Sequence, residues 1–287
     1  MSDVGPIDPG YGAESALLSK WSLRPDGEPL TTPSSRVIPV RTADGVPAML
    51  KLSRIDEERR GGALLLALDG RGAARVLRCE GDALLIERAT GPQSLVGMVH
   101  DGDDADELAT RILCAAGDRI HESSDDLLNR TPPLDLVPLD DWFRLLFAHA
   151  DDLEPAHRRG ADLALALLAH PRDRVVLHGD LHHGNVLDFG ERGWLAIDPK
   201  GLVGESAFDR CNLLCNPSHS RALDPGRLER RFGVVVESTG LDAVRYARWV
   251  AAWGALSSTW FALDGDERHA RGALEIGERA LALSLAA

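Results

Sequence analysis

HGDLHHGNVLDFGERGWLAID, residues 178–198, is the stretch whose reading decides the rest of the chain. Arg174-Val175-Val176-Leu177 before it is short, β-branched and apolar, so it reads as a buried strand, and the polar cluster begins where that strand runs out. Loops at strand ends are where chemistry tends to be placed. Asp180 is followed five residues later by Asn185, and Asp198 comes thirteen residues after that, at the end of Trp194-Leu195-Ala196-Ile197. Between Asn185 and Asp198 the pattern predicts a hairpin. Val186-Leu187 goes out, Phe189-Gly190-Glu191-Arg192-Gly193 turns, and Trp194 to Ile197 returns. Asp198 is thereby expected back beside Asn185 and Asp180.

One amide and two carboxylates in one place suit Mg2+-assisted phosphoryl transfer. Mg2+ takes a few hard oxygen ligands from protein and shares the rest of its octahedron with phosphate and water, a part that Asn185 and Asp198 could play. Asp180 is then free to accept the proton of an acceptor hydroxyl, with an Asn five residues on at one metal, as in the phosphoryl-transfer template. Asp188-Phe189-Gly190 spells the tripeptide that marks a metal-binding aspartate in protein kinases, yet it follows Asn185 by only three residues. A carboxylate there falls in the hairpin turn and is read as turn chemistry, with Asp198 as the ligand.

The remaining composition bounds the alternatives. A chain of 287 residues has room for one large domain or two lobes. Its 45 Asp plus Glu against 32 Lys plus Arg, a formal charge of −13, argue against nucleic acid as a partner and favour a cationic small molecule; acidity for solubility alone is the plainer account. The four cysteines form no CxxC pair, and reduced thiols are expected. The N-terminus, MSDVGPIDPGYGAES, lacks the basic and apolar regions of a signal peptide, and its first ten or so residues are expected to be poorly ordered. The longest helical apolar run, Ala161 to Ala169, falls well short of the roughly 20 residues a membrane span needs, so no membrane partner and a cytoplasmic location are expected.

From Trp21 to Glu87 short extended runs alternate with turn signals: Trp21 to Arg24, Arg36 to Val40, Val46 to Leu52 and Ala83 to Ile86 read as antiparallel hairpins. Lys51 interrupts the apolar face of its strand, and Glu58 opens a helix whose Leu64, Leu65 and Leu68 face inward. A strand Lys paired with a helix Glu, holding the α- and β-phosphates of ATP, is the second part of the phosphoryl-transfer template; a snorkelling surface lysine and a solvated glutamate are the bland reading. No GxGxxG or GxxxxGK[ST] occurs. Ser34 and Ser35, in the turn before Val37, are the candidates for covering phosphate, and the backbone near Glu87 and Ala89 is the candidate hinge that would hold adenine. Beyond residue 100 the spacing is helical: Leu108, Ile112, Ala116 and Ile120; then Leu139, Trp142, Phe143, Leu146 and Phe147; then Leu163 to Leu168. Trp249, Trp253, Leu256 and Trp260 share one helix face, more often core than ligand cage. The acidic turn after them, with Asp264 and Asp266, could hold guanidinium or ammonium groups beside Trp253 and Trp260 or could be a solvated turn. Asp209 stands where a helix cap would.

From about Trp21 to the C-terminus the chain resembles the aminoglycoside O-phosphotransferase family, and within it is most similar to the streptomycin 6-phosphotransferases (streptomycin 6-kinases). PAMLK (47–51), GRGAARVL (70–77), LLIERATG (84–91), LHGDLHHGNVLDFGERGWLAIDPKGLVGE (177–205) and FDRCN (208–212) carry the resemblance. It implies an α+β, bilobal protein-kinase-like fold with a small antiparallel β lobe bearing one helix and a larger, mainly helical lobe. Residues 1–92 would be the nucleotide-binding lobe ending in the hinge, and 93–287 the catalytic and substrate-binding lobe. It implies ATP and Mg2+ as cofactors and transfer of the γ-phosphate to a hydroxyl of streptidine, a cationic ring. By the same resemblance Asp180 is the base, Asn185 and Asp198 hold metal, Lys51 holds phosphates and Glu58 positions it, while His178 and Asp209 support the loop. Glu205 joins Trp253, Trp260, Asp264 and Asp266 as a candidate substrate residue. A same-fold kinase acting on hydroxyurea, choline or a sugar, and a kinase-like protein that binds a drug without turnover, are the competing readings.

Overall fold

The computed structural model describes residues 10–286, and the expectation about the first residues falls largely outside them. The described residues form two compact units. The first gathers the residues up to Arg59 with Arg75–Arg88; the second holds Arg60–Ala74 and Ala89–Ala287.

In the first unit lie α1 (Gly10–Lys20), β1 (Arg24–Pro25), β2 (Leu30–Thr31), β3 (Ser35–Arg41), β4 (Pro47–Ser53), the first turn of α2 (Asp56–Leu68), β5 (Val76–Glu80) and β6 (Ala83–Glu87). The strands make one antiparallel sheet in the order β1-β3-β4-β6-β5, with β2 also on β3. Successive strand residues face opposite sides, so Ile38 and Val40, Ala48 and Leu50, and Ala83 and Leu85 share one face. They build a core there with Trp21 and Leu23. Lys51, one residue on from Leu50, sits opposite Val37 and Leu84 and belongs to the other face.

The start of this unit differs from the hairpin expected at Trp21. The chain leaves α1 through a turn in which Ser22 is left-handed (φ 54°), Leu23 N donates to Leu18 O (2.8 Å) and Ser22 N to Ser19 O (3.1 Å). That is a helix terminus closed by a left-handed residue, with Leu18 and Leu23 brought together in the core, and only Arg24–Pro25 pairs as strand. The expected helix at Glu58 is present as α2, and its Leu64, Leu65 and Leu68 are buried.

The second unit continues with α3 (Leu95–Met98), α4 (Asp103–His121), α5 (Ser124–Leu128), β7 (Val137–Pro138), α6 (Leu139–Trp142), α7 (Arg144–His149), α8 (Pro155–Leu168), β8 (Val175–Leu177), β9 (Val186–Asp188), β10 (Trp194–Ala196), β11 (Leu202–Gly204), α9 (Cys211–Cys215), α10 (His219–Ala222), α11 (Arg227–Thr239), α12 (Ala243–Leu263) and α13 (Glu267–Ala286). Two small sheets matter for function. β9 and β10 form an antiparallel pair, and β7-β11-β8 form a three-stranded sheet in which β11 runs antiparallel to β8. Helices supply the rest of the core, with Trp249 and Leu256 of α12 wholly buried and Phe143, Phe208 and Trp249 in mutual ring contact. Among the described residues no helix is long and apolar enough to cross a membrane.

Two helical expectations are corrected. Of the expected stripe on α4, Ala116 and Ile120 are buried, Ile112 is half-buried and Leu108 is exposed; the inward face runs instead through Asp106, Ala109, Thr110, Leu113, Ala116, Gly117 and Ile120. Two polar residues lie on that face because α11 supplies their partners. Arg227 makes a paired contact with Asp106 (Nε to Oδ2 2.6 Å, Nη2 to Oδ1 2.9 Å), and Arg231 Nε donates to Thr110 Oγ1 (2.8 Å). The second correction is at Phe143, where the helix expected over Leu139 to Phe147 breaks into α6 and α7.

Candidate active site

The loop 178–185 leaves β8 and enters β9, and the elements flanking it fix both of its ends. β10 pairs with β9 in the register Trp194↔Asp188, Leu195↔Leu187 and Ala196↔Val186, with Gly190–Arg192 as a tight turn between them. The ladder extends one rung further, Ile197 N donating to Asn185 O at 2.8 Å, so Asp198 leaves the hairpin beside Asn185. Two residues later Lys200 N donates to His178 O (2.7 Å), and the chain enters β11, which runs beside β8. The predicted hairpin is therefore present with the predicted strands.

Within the loop the polar groups hold one another. His178, fully buried, accepts from Asp180 N on Nδ1 (3.1 Å) and donates from Nε2 to Ile197 O (2.8 Å), so a single ring spans from the loop to the end of β10. Asn185 Nδ2 donates to Asp180 O (2.9 Å) and to Asp180 Oδ2 (3.2 Å). Asn212 Nδ2 donates to the other carboxylate oxygen, Asp180 Oδ1, at 2.7 Å. Asp180 still keeps 31% of its side chain exposed, which leaves lone pairs open to a ligand.

Asp209 proves to be more than a helix cap. Wholly buried, it accepts from His178 N (2.8 Å) and Gly179 N (2.7 Å) and from His121 Nε2 (2.8 Å). Burial opposes its charge, but the His121 hydrogen bond and nearby charges outweigh that and hold its pKa below the usual carboxylate value. The pKa of His121 is also lowered, by burial and then by the charge of Arg210, whose Nη1 donates to its Nδ1 (2.9 Å). A neutral imidazole donating from Nε2 fits both observations. His182 is likewise held below the usual histidine value, chiefly by burial.

The donor set suits Mg2+. Asn185 has committed its amide nitrogen to Asp180, which leaves its carbonyl oxygen as the atom that can face a cation, and Asp198 adds a carboxylate. Two hard oxygens, with the other positions left to phosphate and water, match the way this ion is bound. Among the described residues no group of three or more His, Cys, Asp or Glu could hold a metal by itself. Asp198 also has φ 58°, a left-handed backbone.

Asp188 is occupied elsewhere. Its carboxylate accepts from Gly190 N (2.9 Å) and Gln93 N (3.1 Å), and its carbonyl from Gly91 N (2.9 Å). A Cβ on Gly91 would stand 2.0 Å from its Cγ, so that close approach requires glycine. Asp188 thus ties residues 91–93 to the hairpin turn.

In the first unit Lys51 and Glu58 form an ion pair with both side chains nearly buried. The bland reading of a surface lysine and a solvated glutamate does not describe them. Ser34 and Ser35 lie in the turn into β3, closed by Thr32, whose Oγ1 accepts from Ser35 N (3.0 Å) and lies 3.2 Å from Ser34 Oγ. Glu87 accepts from Arg75 N, and Ala89 follows in the segment after β6.

The residues expected to touch substrate are dispersed. Glu205 is buried and engaged by Arg245 Nε (2.7 Å), Trp249 Nε1 (2.9 Å) and Arg172 N (3.2 Å). Trp253 is buried in the core face of α12, and Trp260 meets Trp142 edge to face at 5.7 Å. Asp264 is exposed at the end of α12, and Asp266 accepts from His269 N (3.1 Å) and Nδ1 (2.6 Å) at the start of α13. Asn212 and His121 were not foreseen. The only sequence signal for Asn212 is its place three residues after Asp209 in FDRCN.

A model of the aminoglycoside/hydroxyurea antibiotic resistance kinase family matches residues 20–265. The chain is 47% identical over 276 residues to the streptomycin 3''-kinase of Klebsiella pneumoniae, which spans 93% of this chain and 99% of that protein. It is 33% identical over 256 residues to the streptomycin 6-kinase of Streptomyces griseus, spanning 86% of this chain and 81% of that protein. Among solved structures, a thermostable mutant of aminoglycoside phosphotransferase APH(4)-Ia, in a ternary complex with ADP and hygromycin B, aligns with TM-score 0.66 and 14% identity over 95% of this chain and 98% of that one. That likeness speaks for the fold, which is the α+β protein-kinase-like fold expected from the sequence.

Proposed function

The chain belongs to the aminoglycoside/hydroxyurea antibiotic resistance kinase family, and from that premise we propose that it transfers the γ-phosphoryl group of ATP to a hydroxyl of streptomycin, inactivating the drug. What carries the reading is the Asp180 carboxylate held beside Asn185, with Asp198 returned to the same place by the β9-β10 hairpin. ATP is proposed as donor because the same fold binds ADP in the hygromycin complex. Streptomycin is proposed as acceptor because both kinases compared above are named for it. The 6-hydroxyl suggested by the motifs has less support than the 3''-hydroxyl, since identity is 47% to the 3''-kinase and 33% to the 6-kinase.

In the mechanism Asp180 orients the acceptor hydroxyl and takes its proton as the new O–P bond forms and ADP leaves. Asn185 and Asp198 would hold Mg2+, which when bound neutralises charge on the phosphates. His178 and Asp209 keep the loop backbone in place, and Lys51, held by Glu58, binds the α- and β-phosphates. The backbone around Ser34 and Ser35 covers phosphate, and that around Glu87 and Ala89 binds adenine. In domain terms, residues 1–92 serve the nucleotide and 93–287 the chemistry and the acceptor, in the cytoplasm. Of the proposed acceptor contacts, Trp260, Asp264 and Asp266 offer accessible surface, whereas Glu205 and Trp253 are buried. Most of the rate enhancement is alignment and charge placement, because a loose phosphoryl transition state needs little covalent help.

The test is an ADP-release assay with Mg-ATP and streptomycin, kanamycin, hydroxyurea, choline and glucose, with mass spectrometry for a gain of about 80 Da on the acceptor. Streptomycin should be the acceptor, with NMR placing the phosphate, and Asp180→Ala should lower kcat by on the order of 10²–10⁴. Turnover confined to hydroxyurea, or streptomycin binding without ADP release, would replace this reading with the corresponding competitor.

A further inference from the structure

We propose that Asn212 is a positioning residue for Asp180, and that Asn216 sets the way Asn212 faces. This deepens the reading of Asp180 as the base and rests on it. Asn212 is the second residue of α9 and stands three residues after Asp209. One short segment therefore holds the base twice. Asp209 fixes the loop backbone through His178 N and Gly179 N, and Asn212 fixes the Asp180 side chain through the 2.7 Å bond to Oδ1.

The direction of that bond is set from both ends. An ionised carboxylate only accepts, so Asn212 must offer it the amide nitrogen. Behind Asn212, Asn216 Nδ2 donates to Asn212 Oδ1 (2.9 Å) and to Asn212 O (3.0 Å), which keeps the carbonyl end turned away from Asp180. Asn216 is itself pinned, its carbonyl accepting from Arg227 Nη1 (3.3 Å), Arg227 Nη2 (3.3 Å) and Arg231 Nη1 (3.2 Å). Those guanidinium groups are 1% exposed and locked to Asp106 and Thr110 of α4. The orientation of the base is thus referred, through two amides, to the most deeply buried polar contact between α4 and α11. Without Asn212 the carboxylate keeps the longer 3.2 Å bond from Asn185 as its remaining side-chain amide tether.

The experiment measures kcat and KM for Mg-ATP and streptomycin in Asn212→Ala, Asn216→Asp, Asp180→Ala and the Asp180→Ala/Asn212→Ala double variant, each with its thermal midpoint. Losing a hydrogen bond to a charged group should lower kcat in Asn212→Ala about 10- to 100-fold, with both KM values within about threefold of wild type. Asn216→Asp should match it, because a carboxylate at 216 can only accept and would draw the Asn212 amide nitrogen away from Asp180. In the double variant Asn212→Ala should add nothing to the loss caused by Asp180→Ala, whereas a structural role would multiply the two losses. Should Asn212→Ala not fold, Asn216→Asp and Asn212→Ser, which keeps a shorter donor and should recover part of kcat, carry the test. Unchanged kcat in Asn212→Ala, or multiplicative losses, overturns the proposal alone; wild-type kcat in Asp180→Ala overturns the base assignment and this proposal with it.

Discussion

The loop around Asp180 and the seam where α11 packs on α4 both hold charge in the second unit, but they differ in what they leave available. In the seam every guanidinium nitrogen of Arg227 and Arg231 has a protein partner, among Asp106, Thr110, Asn216 and His183, and both side chains are buried. Two cations share one carboxylate there, and burial followed by the charge of Arg227 pushes Arg231 down to about 10. In the loop the amide nitrogens are taken, while the oxygens of Asp180 stay partly exposed and that of Asn185 is left to face a cation. A network whose groups are all engaged and buried holds a fold, whereas acceptor oxygens left over are suited to take a proton or face a cation.

The largest break in that comparison is Asp106→Ala. It leaves two buried guanidinium groups without their carboxylate, and stability to urea should fall by about 3–5 kcal/mol. Because Arg227 and Arg231 also hold the Asn216 carbonyl behind Asn212, kcat per folded molecule should fall as well, by no more than in Asn212→Ala. Wild-type kcat per folded molecule would show that the seam and the loop are separate networks.

A smaller effect comes from pH. His121, beside the loop, and His157, whose Nε2 lies 3.0 Å from Ser258 Oγ in the core, are both held below the usual histidine value, chiefly by burial. Below about pH 6.5 the unfolded chain takes up protons that the folded protein still refuses, so stability present above that pH is lost as pH falls. The slope should reach about 1.4 kcal/mol per pH unit for each such histidine. Urea titrations at pH 7.5 and 5.5 check this, and His121→Gln should remove its share; an unchanged slope in that variant would place the effect elsewhere.

The smallest effect is expected at Asp188. Both oxygens of its carboxylate are engaged, as in the seam, although it lies in the hairpin, so Asp188→Ala should change stability by less than about 1 kcal/mol, water replacing an acceptor at exposed amides. Its Mg2+ titration should overlay that of wild type. A shifted titration in this variant, with none in Asp198→Asn, would move the metal ligand from Asp198 to Asp188.

What could be read in the sequence follows from how local each signal is. The β9-β10 hairpin was legible because strand period, turn residues and loop spacing lie within one 21-residue stretch. α2 was legible from its leucine spacing. The buried face of α4 is legible at Ala116 and Ile120 but not in its first turns, because Asp106 and Thr110 look like surface residues until Arg227 and Arg231, more than a hundred residues away, engage them. Glu205 stands in the resemblance as a candidate for substrate, because its partner Arg245 lies forty residues on and leaves no local sign of the ion pair. Asn212 escaped notice for the same reason: its partner Asp180 is thirty-two residues back, and the local pattern shows only the first turn of a short helix.

The left-handed backbone at Asp198 narrows what evolution can do there. Glycine, asparagine and aspartate tolerate that conformation best, and of these only aspartate also brings a negative charge. Glutamate would keep the charge and meet the conformational barrier, while glycine would relax the chain and carry no donor oxygen on a side chain. The position therefore admits one solution when both demands are imposed together, and drift away from it has no intermediate that satisfies each in turn.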